Sequence, residues 1–158
     1  MNFFFVFQNK TYNQERNGEY LWAPKGPCAH WKNLNLVKKG DITFHSYYGN
    51  LVALSIAKSD CFEANQPIEL QREHHWENDG RRVNCNYFIV PNPIPFADYK
   101  EQILRRQPKK YAPFNRLGRG NSGYFYILNR QTADFLLEKL SLQNSNFVDT
   151  FKKTALEI

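Results

Sequence analysis

The sequence predicts an α+β domain in which a strongly curled sheet, or a small β-barrel, carries helices at its rim. Three observations lead there. Short runs with alternating apolar residues recur along the chain, and helical stripes stand apart from them. No glycine-rich loop of the G-x-G-x-x-G or P-loop kind opens a helix, so a doubly wound nucleotide fold is not expected. The chain has 158 residues, enough for one domain with a real core. Aromatic residues make up 16% and the mean hydropathy is −0.65, so many rings are expected at or near the surface.

The elements follow in order. Residues 3–8, FFFVFQ, form a short apolar run that reads as a buried strand. YNQERNGEYLWAP, residues 12–24, reads as a polar loop leading to Trp22. HWKNLNLVKKGD reads as a short helix or turn closed by Gly40. DITFHS sets Ile42 and Phe44 against Thr43 and His45, and NLVALSIAK sets Val52, Leu54 and Ile56 against Leu51, Ala53, Ser55 and Ala57. YYGN between them supplies a Gly-Asn hairpin turn. RVNCNYFIV places Val83, Cys85, Tyr87 and Ile89 inward and Asn84 and Asn86 outward. PNPIP continues as extended chain outside the ladder, because proline has no amide hydrogen to donate. FADYKEQILRRQ carries Phe96, Tyr99, Ile103 and Leu104 on one helical stripe. GYFYIL is a last strand, and RQTADFLLEKL a helix with Thr132 as its cap. Residues 143–158 read as a C-terminal helix or a linker toward a further domain, which sets the folded unit at 1–142.

Cysteine and charge narrow the class. Cys28, Cys61 and Cys85 are odd in number and contain no C-x-x-C pair, so the thiols are expected to be reduced and the protein cytoplasmic. The apolar start is too short for a signal peptide, and no stretch is long enough to span a membrane. Net charge is +6, and its placement is uneven. Residues 1–99 hold ten basic and ten acidic residues, and residues 120–158 hold four of each. The segment KEQILRRQPKKYAPFNRLGR, residues 100–119, holds seven basic residues and one acid. Such a run is often only a solvated face, but interleaved aromatics, an asparagine and glycines suit phosphate contact.

Catalytic constellations are thin. His74 and His75 are adjacent and need not converge on a metal, and Cys28-x-His30 lacks two further ligands. Ser122 in GNSG has no histidine partner and stands in no G-x-S-x-G elbow. A binding module rather than an enzyme is expected, with no metal and no cofactor. Aromatic and amide chemistry remains. Trp31 reads as core. Trp22 and Trp76 are set in polar surroundings, the first near Asn13 and Asn17 and the second near Asp79. A base lifted from a helix is held by stacking while amides or a carboxylate read its edge.

Along residues 3–128 the order of these motifs resembles the EVE and YTH branch of the PUA-like superfamily, a β-barrel fold that pockets modified nucleobases. YNQERNGEYLWAP looks like that family's loop to a pocket tryptophan, HWKNLNLVKKGDITFHS like its K-x-L-N-L segment, and APFNRLGRGNSG like its phosphate-side stretch. The resemblance implies a base cage of Trp22 and Trp76, with Asn13, Asn17, Ser46, Tyr48 and Asp79 at the base. It assigns the phosphates to Asn115, Arg116, Arg119 and Asn121, to which the concentrated charge adds Lys109 and Lys110. It also extends to the N-terminal part of bacterial modification-dependent restriction proteins, which carry a downstream nuclease domain. The implied partner is duplex DNA carrying a flipped, methylated base. The alternative is RNA bearing methylated adenine or a structured RNA. No membrane partner is implied.

Overall fold

The computed structural model describes residues 1–71 and 77–157. Among these, the strands are β1 (Phe3–Phe7), β2 (Tyr20–Pro24), β3 (Ile42–Tyr47), β4 (Asn50–Ala57), β5 (Phe62–Asn65), β6 (Asp79–Pro95) and β7 (Phe125–Leu128). The helices are α1 (Tyr12–Gly18), α2 (Ala29–Lys32), α3 (Ile68–Gln71), α4 (Lys100–Arg106), α5 (Arg130–Ser141) and α6 (Ser145–Leu156). The strands make one mixed sheet in the order β2-β6-β4-β3-β1-β7, with β5 also on β6. Only β1 and β3 run parallel; the other pairs are antiparallel.

The sheet curls because β6 serves two neighbourhoods. Its first residues lie between β2 and β5, pairing Trp22 with Arg82 and Phe62 with Arg82, while Cys85 to Pro95 run along β4. Register shifts at His45/Ser46 and at Leu51/Ala53 bend the hairpin further. The second shift lets the ladder resume at Ile94 and Pro95, so the proline stretch expected to leave the ladder rejoins it. Ile89, expected inward, is exposed beside this irregularity.

Strand β1 is buried on both faces, which explains its unbroken apolar run. Phe3 and Phe5 join Ile42, Phe44, Leu54 and Ile56 in a core roofed by α4, α5 and α6. Phe4 and Val6 join Leu21, Ala23, Leu34, Val37, Val83 and Phe125 on the other side. Near the C-terminus α6 puts Val148, Phe151 and Ala155 as a stripe into the first core. Asn144 fastens its start: its Oδ1 accepts the Asn92 amide at 2.9 Å and its Nδ2 donates to the Asn92 carbonyl at 3.0 Å.

Two local expectations are corrected. The polar stretch before Trp22 is helix α1, ended by Glu19 in the left-handed conformation at φ 55°. Tyr12 and Glu15, one turn apart, are its buried face. The hairpin turn is made by Tyr48 and Gly49 rather than by Gly-Asn.

Candidate nucleic-acid interface

One groove opens where the C-terminal ends of β1 and β3 meet the loop that precedes β7, and a second adjoins it between the end of α4 and that loop. The first, about 710 Å³, has an apolar floor of Phe7, Phe96 and Phe114. Ser46, Asn9 and Thr11 come from the strand ends, His30 and Trp31 from α2, and Arg119 and Tyr124 from the long loop. The second, about 890 Å³, is lined by Arg105, Arg106, Lys109, Tyr111 and Arg116. Phe114 and Asn121 line both, so the two grooves lie side by side.

The wall between them is built by side-chain amides acting on backbone. Asn115 Oδ1 accepts the amides of Leu117 at 2.9 Å and Arg119 at 3.1 Å, closing a tight turn. Asn121 Nδ2 donates to the Ala112 carbonyl at 2.8 Å. Gln107 holds both polar groups of the Phe114 peptide, at 2.8 and 3.1 Å. Asn115 and Asn121, expected at phosphates, therefore spend these side-chain atoms shaping the loop. Lys109, Lys110, Arg116 and Arg119 are exposed, and none of them enters an ion pair among the described residues. Arg106 differs: it lies over the Phe135 ring at 4.5 Å and donates to the Gln102 carbonyl at 3.0 Å.

Behind the first groove lies a buried polar network that fixes its wall. Glu15 is fully buried; its Oε1 accepts from Thr11 Oγ1 at 2.5 Å, its Oε2 accepts the Trp22 amide at 3.1 Å, and the Tyr124 hydroxyl donates to it as well. Burial outweighs these donors and lifts its carboxyl to about 7. A second chain of bonds is anchored by His45. Ser55 bonds Nε2 and Gln8 Oε1 bonds Nδ1, both at 2.7 Å. Gln8 Nε2 donates to the Tyr87 hydroxyl at 3.1 Å, which donates to the Tyr20 carbonyl at 2.8 Å. Every polar atom of this relay has a partner when the imidazole is neutral, and burial pushes its titration down to about 3. His30 Nδ1 accepts the Tyr124 amide at 3.0 Å, so its neutral ring carries the proton on Nε2.

The expected base contacts do not assemble around Trp22. That residue lies on β2 and is 2% exposed, with Nε1 donating to the Ala64 carbonyl at 3.0 Å. A Cβ on Gly80 would fall inside its indole, so the strand face is packed shut there. The open stacking face is thereby corrected: the preceding residues fold as α1 and carry Trp22 into the sheet. Asn13 and Asn17 lie on the outer side of α1 and line a separate shallow hollow with Glu69. Asp79 starts β6, paired with Asn65. Ser46 lines the first groove, and Tyr48 stands beside it at the hairpin tip. Trp76 lies outside the described residues. Sequence reasoning missed Asn9, Thr11, His30 and Tyr124; Trp31, read as core, is half-buried, packing against the second core and also lining the groove. The adjacency of a histidine and a tryptophan before the L-N-L segment was the available signal.

No family model matches the chain, and no curated protein does. Solved structures do match in fold. The YTH domain of Zygosaccharomyces rouxii MRB1, in complex with N6-methyladenosine RNA, aligns with a TM-score of 0.57 at 9% identity, covering 88% of this chain and 86% of that one. The Pho92 YTH domain in complex with m6A aligns with a TM-score of 0.60 at 13% identity, covering 91% and 85%. A mutant ASCH protein of Zymomonas mobilis aligns with a TM-score of 0.55 at 6% identity, covering 87% and 95%. Curled mixed sheet, flanking helices and these matches agree: the chain has a PUA-like fold of the EVE, YTH and ASCH type.

Proposed function

We propose that this domain is a nucleic-acid-binding module, not an enzyme, that takes one unstacked modified base into the first groove and lays the adjoining phosphates along the second. The observation that carries this reading is the adjacency of the two grooves, which share Phe114 and Asn121. One is apolar-floored and within the size range of small-molecule sites, and beside it stand exposed cations that enter no ion pair among the described residues. Trp31, closed on one side by Gly26, and Tyr124 lend aromatic surface to the groove, and Ser46, Asn9 and Thr11 lend polar atoms for a base edge. Lys109, Lys110, Arg116 and Arg119 take the phosphates. A base reaches such a groove only after leaving the stack, because its neighbours otherwise cover both faces.

Duplex DNA carrying a methylated base is the first partner, by the resemblance to specificity modules of modification-dependent restriction systems with a nuclease domain elsewhere in the parent chain. RNA bearing methylated adenine is the second, favoured by the YTH structures solved with that ligand. Anisotropy titrations of matched modified and unmodified duplexes beside modified single-stranded RNA separate the two. Arg116→Ala with Arg119→Ala is expected to reduce the salt slope of log K on duplex DNA by about 1.8, at about 0.9 per phosphate contact. Absence of binding to all these oligonucleotides at low salt, or an unaltered slope in the double variant, would overturn the reading.

A further inference from the structure

The β3–β4 turn holds a residue choice that folding alone does not explain. Tyr48 and Gly49 both have positive φ, 45° and 79°. This is the backbone of a tight hairpin, for which Asn-Gly or Gly-Gly is the favoured pair. Gly49 fits it, but a tyrosine in the left-handed region is strained where asparagine or glycine would be far less so. Burial offers Tyr48 no compensation, since the residue is 66% exposed.

The turn is nevertheless held firmly. The Tyr48 amide donates to Asn9 Oδ1 at 2.7 Å, its carbonyl accepts from Asn50 Nδ2 at 3.1 Å, and the Gly49 carbonyl accepts the Phe96 amide at 3.0 Å. The ring meets Tyr47 edge-on with centroids 4.7 Å apart, and Tyr47 rests on Tyr12 at 5.1 Å. Asn9, which holds the Tyr48 amide, and Gly49, which follows it, both line the first groove, so Tyr48 sits beside that groove. Strain retained at a rigid, exposed site beside a groove is a signature of function.

We propose that Tyr48 is a wedge: when a base leaves a duplex for the groove, the Tyr48 ring enters the vacated place in the stack. Apolar and aromatic side chains inserted at base steps play this part in other DNA-binding proteins, offsetting the lost stacking. The occupant of this surface is therefore duplex DNA, its phosphates matched by the cations of the neighbouring groove. The inference rests on the reading that the first groove holds an extruded base.

The test uses Tyr48→Asn, which suits the turn and preserves the fold, together with Tyr48→Phe, which keeps the ring. The probes are a duplex with one methylated base and the same strand unpaired. Tyr48→Asn should weaken duplex binding by at least about tenfold while leaving single-strand binding unchanged, and Tyr48→Phe should bind as the wild type does. A 2-aminopurine opposite the modified base should be quenched on binding wild-type protein and bright with Tyr48→Asn. Unchanged duplex affinity in Tyr48→Asn, with preference for the modified strand retained, would overturn the wedge and leave the groove reading intact. Equal loss on both probes would make Tyr48 an ordinary base contact and also overturn it. If the wild type bound neither probe, the groove reading itself would fail.

Discussion

The two faces of strands β1 and β3 do different work with the same backbone. On one face Phe3, Phe5, Ile42 and Phe44 meet helices through hydrocarbon alone. On the other, beside Phe4 and Val6, the strands carry His45, and Gln8 follows just beyond β1; both are fully buried in the bonded relay. Dispersion and burial tolerate small shifts, whereas a buried hydrogen-bond network holds only at one geometry. The apolar face therefore supplies stability, and the polar face sets the position of Thr11 and Tyr124 on the groove wall.

The largest expected effect tests the apolar face. Phe5 is fully buried against Phe7, Phe96 and Phe114 at ring separations of 5.0, 5.3 and 5.4 Å. Phe5→Ala should lower unfolding free energy by about 3–5 kcal/mol in denaturant titrations, a loss set by the cavity and lacking the polar face's pH signature.

The polar face should reveal itself through pH. Glu15 binds its proton more tightly folded, at about 7 against 4.5, so its contribution falls as pH rises between those values. His45 binds its proton more weakly folded, at about 3 against 6.5, so its contribution falls as pH drops through that window. The two oppose each other between 4.5 and 6.5, and stability should be greatest there and decline on either side. Glu15→Gln should flatten the limb above pH 6.5 and spare the acid limb, as measured by denaturant midpoints across pH. A limb unchanged by that substitution would break the contrast between the faces.

The smallest effect sharpens it. Tyr87→Phe leaves the Tyr20 carbonyl without its donor and Gln8 without its acceptor, and should cost about 1–3 kcal/mol. The volume is almost unchanged, so any such loss belongs to bonding rather than packing.

This contrast also explains what the sequence disclosed. Apolar periodicity marked β1, the β3–β4 hairpin, β6, α4, β7 and α5, because on the hydrocarbon side hydrophobic pattern and burial coincide. It did not mark α1, whose inner stripe is Tyr12 and a buried carboxylate; Glu15 reads as a surface residue until its donors are known. The same substitution of hydrogen bonds for hydrocarbon hid the groove wall. The cationic segment was legible because charge needs no fold to be counted, but the roles of Asn115 and Asn121 were not, since their bonds follow from loop conformation. Trp22 was misread for the converse reason: polar neighbours in sequence are not neighbours in space.

The central claim is that the first groove, and not the surroundings of Trp22, receives the base. Indole N–H resonances report on the two sites separately. Titrating the protein with a short oligonucleotide carrying one methylated base should shift the Trp31 indole signal, on the groove wall, and leave that of Trp22, bonded to the Ala64 carbonyl, in place. A shift confined to Trp22, with Trp31 unmoved, would contradict the account.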